Sequence, residues 1–167
     1  MLHTIHGKCY CGNLSFELST DIDMSEIQAS ACHCSFCHLH DARNWSDPKG
    51  SITIRVASED QLQRYRFGMK TADFYICRIC GSYIGAVLTD SDGIWSMVNL
   101  RFTQLTVPER AVSYSSEDVS KRVARQKNVD TYDYCQRCLI EISSYNSMLK
   151  VLSCSSVHKI WYWLQSS

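Results

Sequence analysis

Apolar and polar positions alternate with a period of two through much of the N-terminal part of this chain, the pattern of strands that bury one face. Over residues 13–18 the alternation sets Leu14, Phe16 and Leu18 on one side, and over residues 51–57 it does the same for Ile52, Ile54 and Val56. Residues 27–32 and 73–76 each predict a strand that runs straight into cysteines. Residues 83–88 and 94–100 predict an apolar hairpin around Thr89-Asp90-Ser91-Asp92-Gly93, whose Asp-Gly pair is a strong turn signal. Residues 59–63 predict a helical turn, 65–67 an extended piece and 68–71 a turn, while Asp47-Pro48-Lys49-Gly50 punctuates the chain earlier. The expectation is a mainly β domain of short antiparallel strands.

After Pro108 the character changes. Ser115-Ser116-Glu117-Asp118 offers hydroxyl caps and acids ahead of residues 119–126, and Lys121, Arg122, Arg125 and Lys127 gather toward the end, the polarity a helix dipole favours. One short C-terminal helix is expected there. From Val129 onward there is no sustained period, only a Tyr132-Asp133-Tyr134 patch, a C-x-x-C at Cys135 and Cys138, and an aromatic end at Trp161-Tyr162-Trp163. The chain therefore divides into a domain over residues 1–128 and a C-terminal tail over residues 129–167, expected to be weakly ordered or packed at the periphery. Cys135, Cys138 and Cys154, with His158, are too irregularly spaced to argue for a further metal site. The terminal aromatics lack the basic cluster of a nucleic-acid stacking platform.

Composition narrows the function. With 167 residues the chain has the length of one domain and can bury most of its apolar side chains. Lys plus Arg number 17 and Asp plus Glu number 17, so no net basic field draws it to nucleic acid or an anionic membrane. No run approaches the roughly 18 apolar residues of a membrane span. Ten cysteines would mean disulfides in a secreted protein, but residues 1–10 have neither the basic nor the apolar region of a signal peptide. The thiols are read as reduced and largely metal-bound, in a cytoplasmic protein. In that setting Asn13-Leu14-Ser15 and Asn44-Trp45-Ser46 match the glycosylation sequon by chance.

The cysteines fall into two sets with different arithmetic. Cys9 and Cys11, with Cys77 and Cys80, form C-x-C…C-x-x-C, each half followed by glycine, which reads as a closed tetrathiolate zinc. A redox C-x-x-C would need a βαβ context that is missing. Cys32, Cys34 and Cys37, spaced C-x-C-x-x-C, leave a tetrahedral ion one ligand short. His33, His38 or His40 could close the site as a second structural zinc. Left open, a Zn(Cys)₃ centre suits exchange of a soft ligand, so that a small thiol could bind as the fourth thiolate and be presented to an electrophile such as an aldehyde.

Three blocks, Gly7-Lys8-Cys9-Tyr10-Cys11-Gly12, Cys32-His33-Cys34-Ser35-Phe36-Cys37 and Phe74-Tyr75-Ile76-Cys77-Arg78-Ile79-Cys80-Gly81, occur in order and at suitable spacing. Together they resemble the glutathione-dependent formaldehyde-activating (Gfa) enzyme family, which also includes centromere protein V. Val98-Asn99-Leu100 is similar to the family's Asn-Val segment, and the expected helix is similar to the C-terminal helix of some bacterial members, so the resemblance spans residues 5–127. It implies a zinc-stabilised β-tent fold, with Cys9, Cys11, Cys77 and Cys80 on a structural zinc. It also implies a second, exchangeable zinc on Cys32, Cys34 and Cys37, where glutathione or substrate displaces a ligand. The implied activity is a carbon–sulfur lyase acting on a thiol (glutathione-type) adduct of an aldehyde or similar small electrophile. Two zinc ions would be the cofactors and glutathione the cosubstrate, with a small-molecule thiol or its adduct as partner and neither nucleic acid nor membrane. Many members carry a basic residue and small residues after the third cysteine, where this chain has His38-Leu39-His40-Asp41. That difference puts His38 forward as a proton shuttle or a fourth ligand. The alternative is a binding module that keeps the fold and its zinc without the chemistry. An open triplet facing a pocket favours the enzyme, and a triplet closed by histidine favours the module.

Overall fold

The apolar rows read from the sequence meet one another across two sheets. In the computed structural model, residues 1–127 and 138–143 are described in full, and Leu149–Ser153 and Ile160–Tyr162 as backbone strands. The first sheet takes β1 (His3–Lys8), β2 (Leu14–Thr20), β5 (Ser51–Val56), β11 (Cys138–Ser143), β12 (Leu149–Ser153) and β13 (Ile160–Tyr162), side by side in that order. Antiparallel register sets Leu14 against Val56, Phe16 against Ile54 and Leu18 against Ile52, so the alternating residues of both strands share one buried face. Gly7 lies opposite Phe16, and a Cβ there would stand 2.2 Å from the Phe16 ring, so the ring packs over bare backbone.

The second sheet runs β10 (Glu109–Val112), β3 (Ala29–Cys32), β4 (Asn44–Trp45), β9 (Gly93–Asn99), β8 (Tyr83–Asp90), β7 (Asp73–Cys77) and β6 (Leu62–Tyr65). Strands β8 and β9 form the expected hairpin and are buried along most of their length. Ile84, Val87, Ile94 and Val98 join the core shared with the first sheet. Ala86, Leu88 and Trp95 belong to a second cluster with Phe74 and Met97, and Tyr83 to a third with Phe36 and Cys37. Such two-sided burial explains the unbroken apolar runs of this hairpin. The β7–β8 register shifts between Tyr75 and Ile76, leaving Ile84 as an extra residue.

Two α-helices complete the order among the described residues. The first, α1 (Ser35–Leu39), is capped by the Cys34 sulfur, which accepts from the Cys37 backbone N–H. The second, α2 (Val119–Lys127), starts on Asp118, whose side chain accepts from the Lys121 N–H at 2.8 Å. Its far end is tied to the β8–β9 turn by Lys127, which pairs with Asp90 and Asp92 and lies 4.8 Å from the Trp95 ring centre.

The mainly β architecture follows the sequence reading, and α2 falls where the helix was expected. Three things differ. Two pairings are parallel, β10 with β3 and β11 with β5. The central cysteines enter a short helix rather than a plain turn. Residues 138–143, assigned to a loose tail, lie in the core: β11 sets Cys138, Ile140 and Ile142 beside Ile52, Ile54 and Val56, and all three are buried. Their alternation is only three apolar residues long, and the strand that receives it lies far back in the chain. A local scan therefore has little to find. Cys138 packs in this core, whereas Cys135, Cys154, His158 and Trp163 lie outside the described residues.

Candidate metal centres and the cavity between β3 and α2

Strand β1 ends in Cys9-Tyr10-Cys11-Gly12, and β7 ends in Cys77-Arg78-Ile79-Cys80-Gly81. The two turns are built alike: Cys9 N–H donates to the Leu14 carbonyl at 2.8 Å, and Cys77 N–H to the Ser82 carbonyl at 3.0 Å. Gly12 and Gly81 have φ of +83° and +72°, and nothing lies within 4 Å of a Cβ built on either. Glycine is needed there for the left-handed backbone, not for space.

The turns bring Cys9, Cys11, Cys77 and Cys80 together with all four sulfurs within 4.8 Å of one another. Cys9 and Cys11 sulfurs are 3.7 Å apart, and Cys11 and Cys77 sulfurs 3.4 Å. Tetrahedral zinc with bonds of about 2.3 Å would set its sulfurs about 3.8 Å apart, so this set fits such an ion. Burial pushes the Cys9 thiol up, and burial likewise pushes Cys77 to about 12. At Cys80 burial is outweighed by the Ser82 hydroxyl and the backbone amides of Cys11 and Ser82, which bring it down to about 6.

Cys32, Cys34 and Cys37 form the second set, on the end of β3 and the start of α1, again with sulfurs within 4.8 Å. Among the described residues no histidine, aspartate or glutamate donor joins them at that distance. Hydrogen bonds from Cys32 and Cys37 hold the Cys34 thiol down at about 2, while the contact with Cys34 pushes Cys32 up and contacts with Cys32 and Cys34 push Cys37 up.

A buried relay fixes the third cysteine. Asn99 donates through Nδ2 to the Tyr83 carbonyl at 3.0 Å, and Tyr83 Oη donates to Asn44 Oδ1 at 3.2 Å. Asn44 Nδ2 in turn donates to the Cys37 sulfur at 3.8 Å. Asn99 Oδ1 also accepts from the Arg43 and Arg101 N–H groups, which ties the start of β4 to the end of β9. Phe36 anchors α1 among Phe67, Phe74 and Tyr83, with ring centres 4.8–5.1 Å apart, and His40 packs against it at 4.3 Å.

The triplet opens onto a cavity of about 180 Å³. Its walls are Cys32, His33, Cys34 and Cys37 from the β3–α1 segment, Phe67 from the loop after β6, Phe74 from β7, Met97 from β9, and Tyr114, Arg122, Arg125 and Gln126 from the α2 side. Of the three histidines singled out in the sequence, His33 lines the cavity. His38 on α1 and His40 just after it are exposed and do not line it.

Over residues 4–100 the chain matches the family model described as glutathione-dependent formaldehyde-activating enzyme. The chain belongs to this family. As a Gfa-family member it carries all seven clustered cysteines inside the matched residues, together with Asn44, Tyr83 and Asn99, whereas β10 and α2 follow them. No curated protein sequence matches the chain. Among solved structures it is similar to a Rhodobacter sphaeroides protein from structural genomics, at 23% identity, a TM-score of 0.46, and coverage of 64% of this chain and 100% of that one.

Sequence reading of this Gfa-family chain found both cysteine sets and missed the shell around them. Asn44 stood out only as part of a sequon, yet it is buried against Cys37, and Asn13 of the other sequon is buried too. Arg122 and Arg125 stood out only as helix-terminal charge, yet both face the cavity.

Proposed function

We propose that this chain is a zinc-dependent carbon–sulfur lyase acting on a thiol adduct, of the glutathione type, of an aldehyde or similar small electrophile. The observation that carries the reading is the contrast between the two cysteine sets. One gathers four sulfurs; the other gathers three, with no fourth protein donor among the described residues, and faces a cavity. Structural sites are closed, and sites that do chemistry keep a position free. Zinc on the triplet would supply a Lewis-acidic position where a thiol binds as its thiolate.

This chain's own residues would do the rest. Cys32, Cys34 and Cys37 hold the ion, and Asn44, itself held by Tyr83 and Asn99, keeps the Cys37 sulfur oriented. Phe67, Phe74 and Met97 give the cavity an apolar wall that limits water. Two histidines are candidates for carrying a proton between thiol, adduct and solvent. His38 was favoured for following the third cysteine, and His33 gains by lining the cavity. The thiol chemistry fits a reducing cytoplasmic setting, and among the described residues no helix is long and apolar enough to cross a membrane.

The test is metal content and activity on the same samples. Wild type should bind two zinc ions per chain and turn over S-hydroxymethylglutathione or a related adduct. Cys34→Ala should bind one and lose turnover while still melting cooperatively. Alanine at the histidine that moves the proton should keep both ions and lower turnover by roughly 10²–10⁴-fold. A Cys34→Ala protein with full turnover would reject the reading.

A further inference from the structure

We infer that the cavity beside the cysteine triplet selects aldehydes carrying an apolar group about the size of a benzene ring, and that Phe67, Phe74 and Met97 are the side chains that read it. The inference rests on the thiol-adduct reading above and adds to it the class of electrophile.

The apolar wall adjoins the sulfurs. Phe67, Phe74, Cys32 and Cys34 all pack against the cluster that holds Phe36 and Cys37. Met97 and Phe74 pack against the neighbouring cluster of Ala86, Leu88 and Trp95. Phe67, Phe74 and Met97 are only partly buried, so each leaves apolar surface open where it lines the cavity. The two rings are also held in place. Phe67 stacks on Phe36 at 4.9 Å and meets Phe74 at 4.8 Å with a 55° tilt, and Phe74 rests 5.5 Å from the Tyr83 ring. They form a corner that exists before anything binds, which limits the ordering cost of binding.

Size and chemistry say what fits that corner. An apolar cavity of about 150 Å³ is enough to take benzene, and this cavity is about 180 Å³. The formaldehyde adduct places only one carbon and a hydroxyl next to sulfur, too little to cover two rings and a thioether chain. A peptide-like thiol is no better matched to this side: laid on Phe67, Phe74 and Met97, its amides and carboxylates would lose water and gain no partner. The polar groups of the lining, among them Ser30, Asn44 and Arg122, come from β3, β4 and α2 instead. A ring or branched alkyl group on the aldehyde carbon matches the apolar wall in both size and chemistry.

The step itself needs no further reactant. Sulfur and carbonyl carbon form the C–S bond, the carbonyl π pair moves to oxygen, and the proton given up by the thiol ends on that oxygen. R–CHO and a thiol thus give R–CH(OH)–S–R′, and the lyase direction reverses each move. R is the group the wall holds.

The experiment uses the full zinc-loaded chain. S-methylglutathione and S-benzylglutathione stand for adducts of formaldehyde and benzaldehyde, and calorimetry compares them. Wild type should bind the benzyl compound roughly 10- to 100-fold more tightly, the range expected for burying one ring. Met97→Gln keeps the side-chain length but makes the wall polar, and should cut that ratio several-fold. Should this variant fail to melt cooperatively, Phe67→Gln, in the loop after β6, replaces it with the same expectation. Equal affinity for the two thioethers, or a ratio that the variant leaves unchanged, overturns the inference and leaves the thiol-adduct reading standing. Turnover separates two sources of the apolar group. Relative to the uncatalysed rate, glutathione with benzaldehyde should be accelerated more than phenylmethanethiol with formaldehyde; the reverse order places the group on the thiol and overturns the inference. Acceleration of neither couple, nor of glutathione with formaldehyde, would reject the thiol-adduct reading. The thioether ratio then decides for the wall alone: a preference that Met97→Gln lowers upholds it, and none, or one indifferent to that change, rejects it.

Discussion

Single residues in this chain act through very different physical terms, and the glycines show it. Gly12 and Gly81 each hold a left-handed backbone with open space around them, so alanine there should cost only the conformational penalty, about 1–2 kcal/mol. Gly7 has an extended backbone, but its Cβ would drive into the Phe16 ring, so Gly7→Ala should cost more, through repacking of a buried aromatic. Urea midpoints of the three variants check this order, and a Gly7→Ala protein less affected than the other two would contradict it. Tyr75 carries a different signal: burial, opposed by the nearby Arg64 charge, raises its phenol to about 12. An acid whose pKa is raised on folding binds more protons in the folded state, so stability falls as pH climbs from about 10, where the unfolded phenol ionises, to 12. Tyr75→Phe should flatten the loss of stability over that window by about 2–3 kcal/mol. Alkaline unfolding curves that run parallel for the two proteins would show the shift does not arise from Tyr75.

At the scale of elements, what was legible depended on how local the signal is. Strands β2 and β5 announce themselves because Leu14, Phe16, Leu18 and Ile52, Ile54, Val56 repeat inside one strand length, and α2 because caps and charges flank it directly. Strand β4 has two residues, α1 has five and depends on a cysteine sulfur for its cap, and β11 lies parallel to a strand far behind it. None of these advertises itself to a reading that moves along the chain. The cysteine sets were legible because ligand spacing is local chemistry, whereas the Asn99–Tyr83–Asn44 relay joins three strands and exists only once they pair. Strand β11 gives this a test. Ile140 is fully buried and Leu139 only partly, so Ile140→Ala should cost about 2–5 kcal/mol and Leu139→Ala clearly less. Chains ending at residue 127 should also lose stability, because β5 would keep β2 but lose its neighbour on the other side, and Ile52, Ile54 and Val56 the buried residues that flank them there. A truncated chain as stable as the full one would restore the boundary at residue 128 that the sequence suggested.

For the whole molecule, the two cysteine sets differ in what they connect. Cys9 and Cys11 follow a strand of the first sheet and Cys77 and Cys80 a strand of the second, so an ion there ties the sheets together. Cys32, Cys34 and Cys37 lie close together in the chain, from the last residue of β3 into α1, so an ion there ties a helix to its own preceding strand. A link between sheets contributes to the stability of the fold as a whole, while a link within a few residues contributes little, because little chain entropy is removed. The sites should also differ in lability, since an ion with an open position exchanges more readily than one enclosed by four protein ligands. Titrating the zinc-loaded protein with a chelator should therefore remove metal in two steps. The first ion should leave with the activity and without a change in the melting transition, and the second should take the cooperative transition with it. In Cys34→Ala the first step should be missing, and in Cys77→Ser the protein should fail to melt cooperatively even before chelator is added. A single step in which metal, activity and fold are lost together in the wild type would mean that the two sites are not separable, and the division into a site that binds the sheets and a site that does the chemistry would fall.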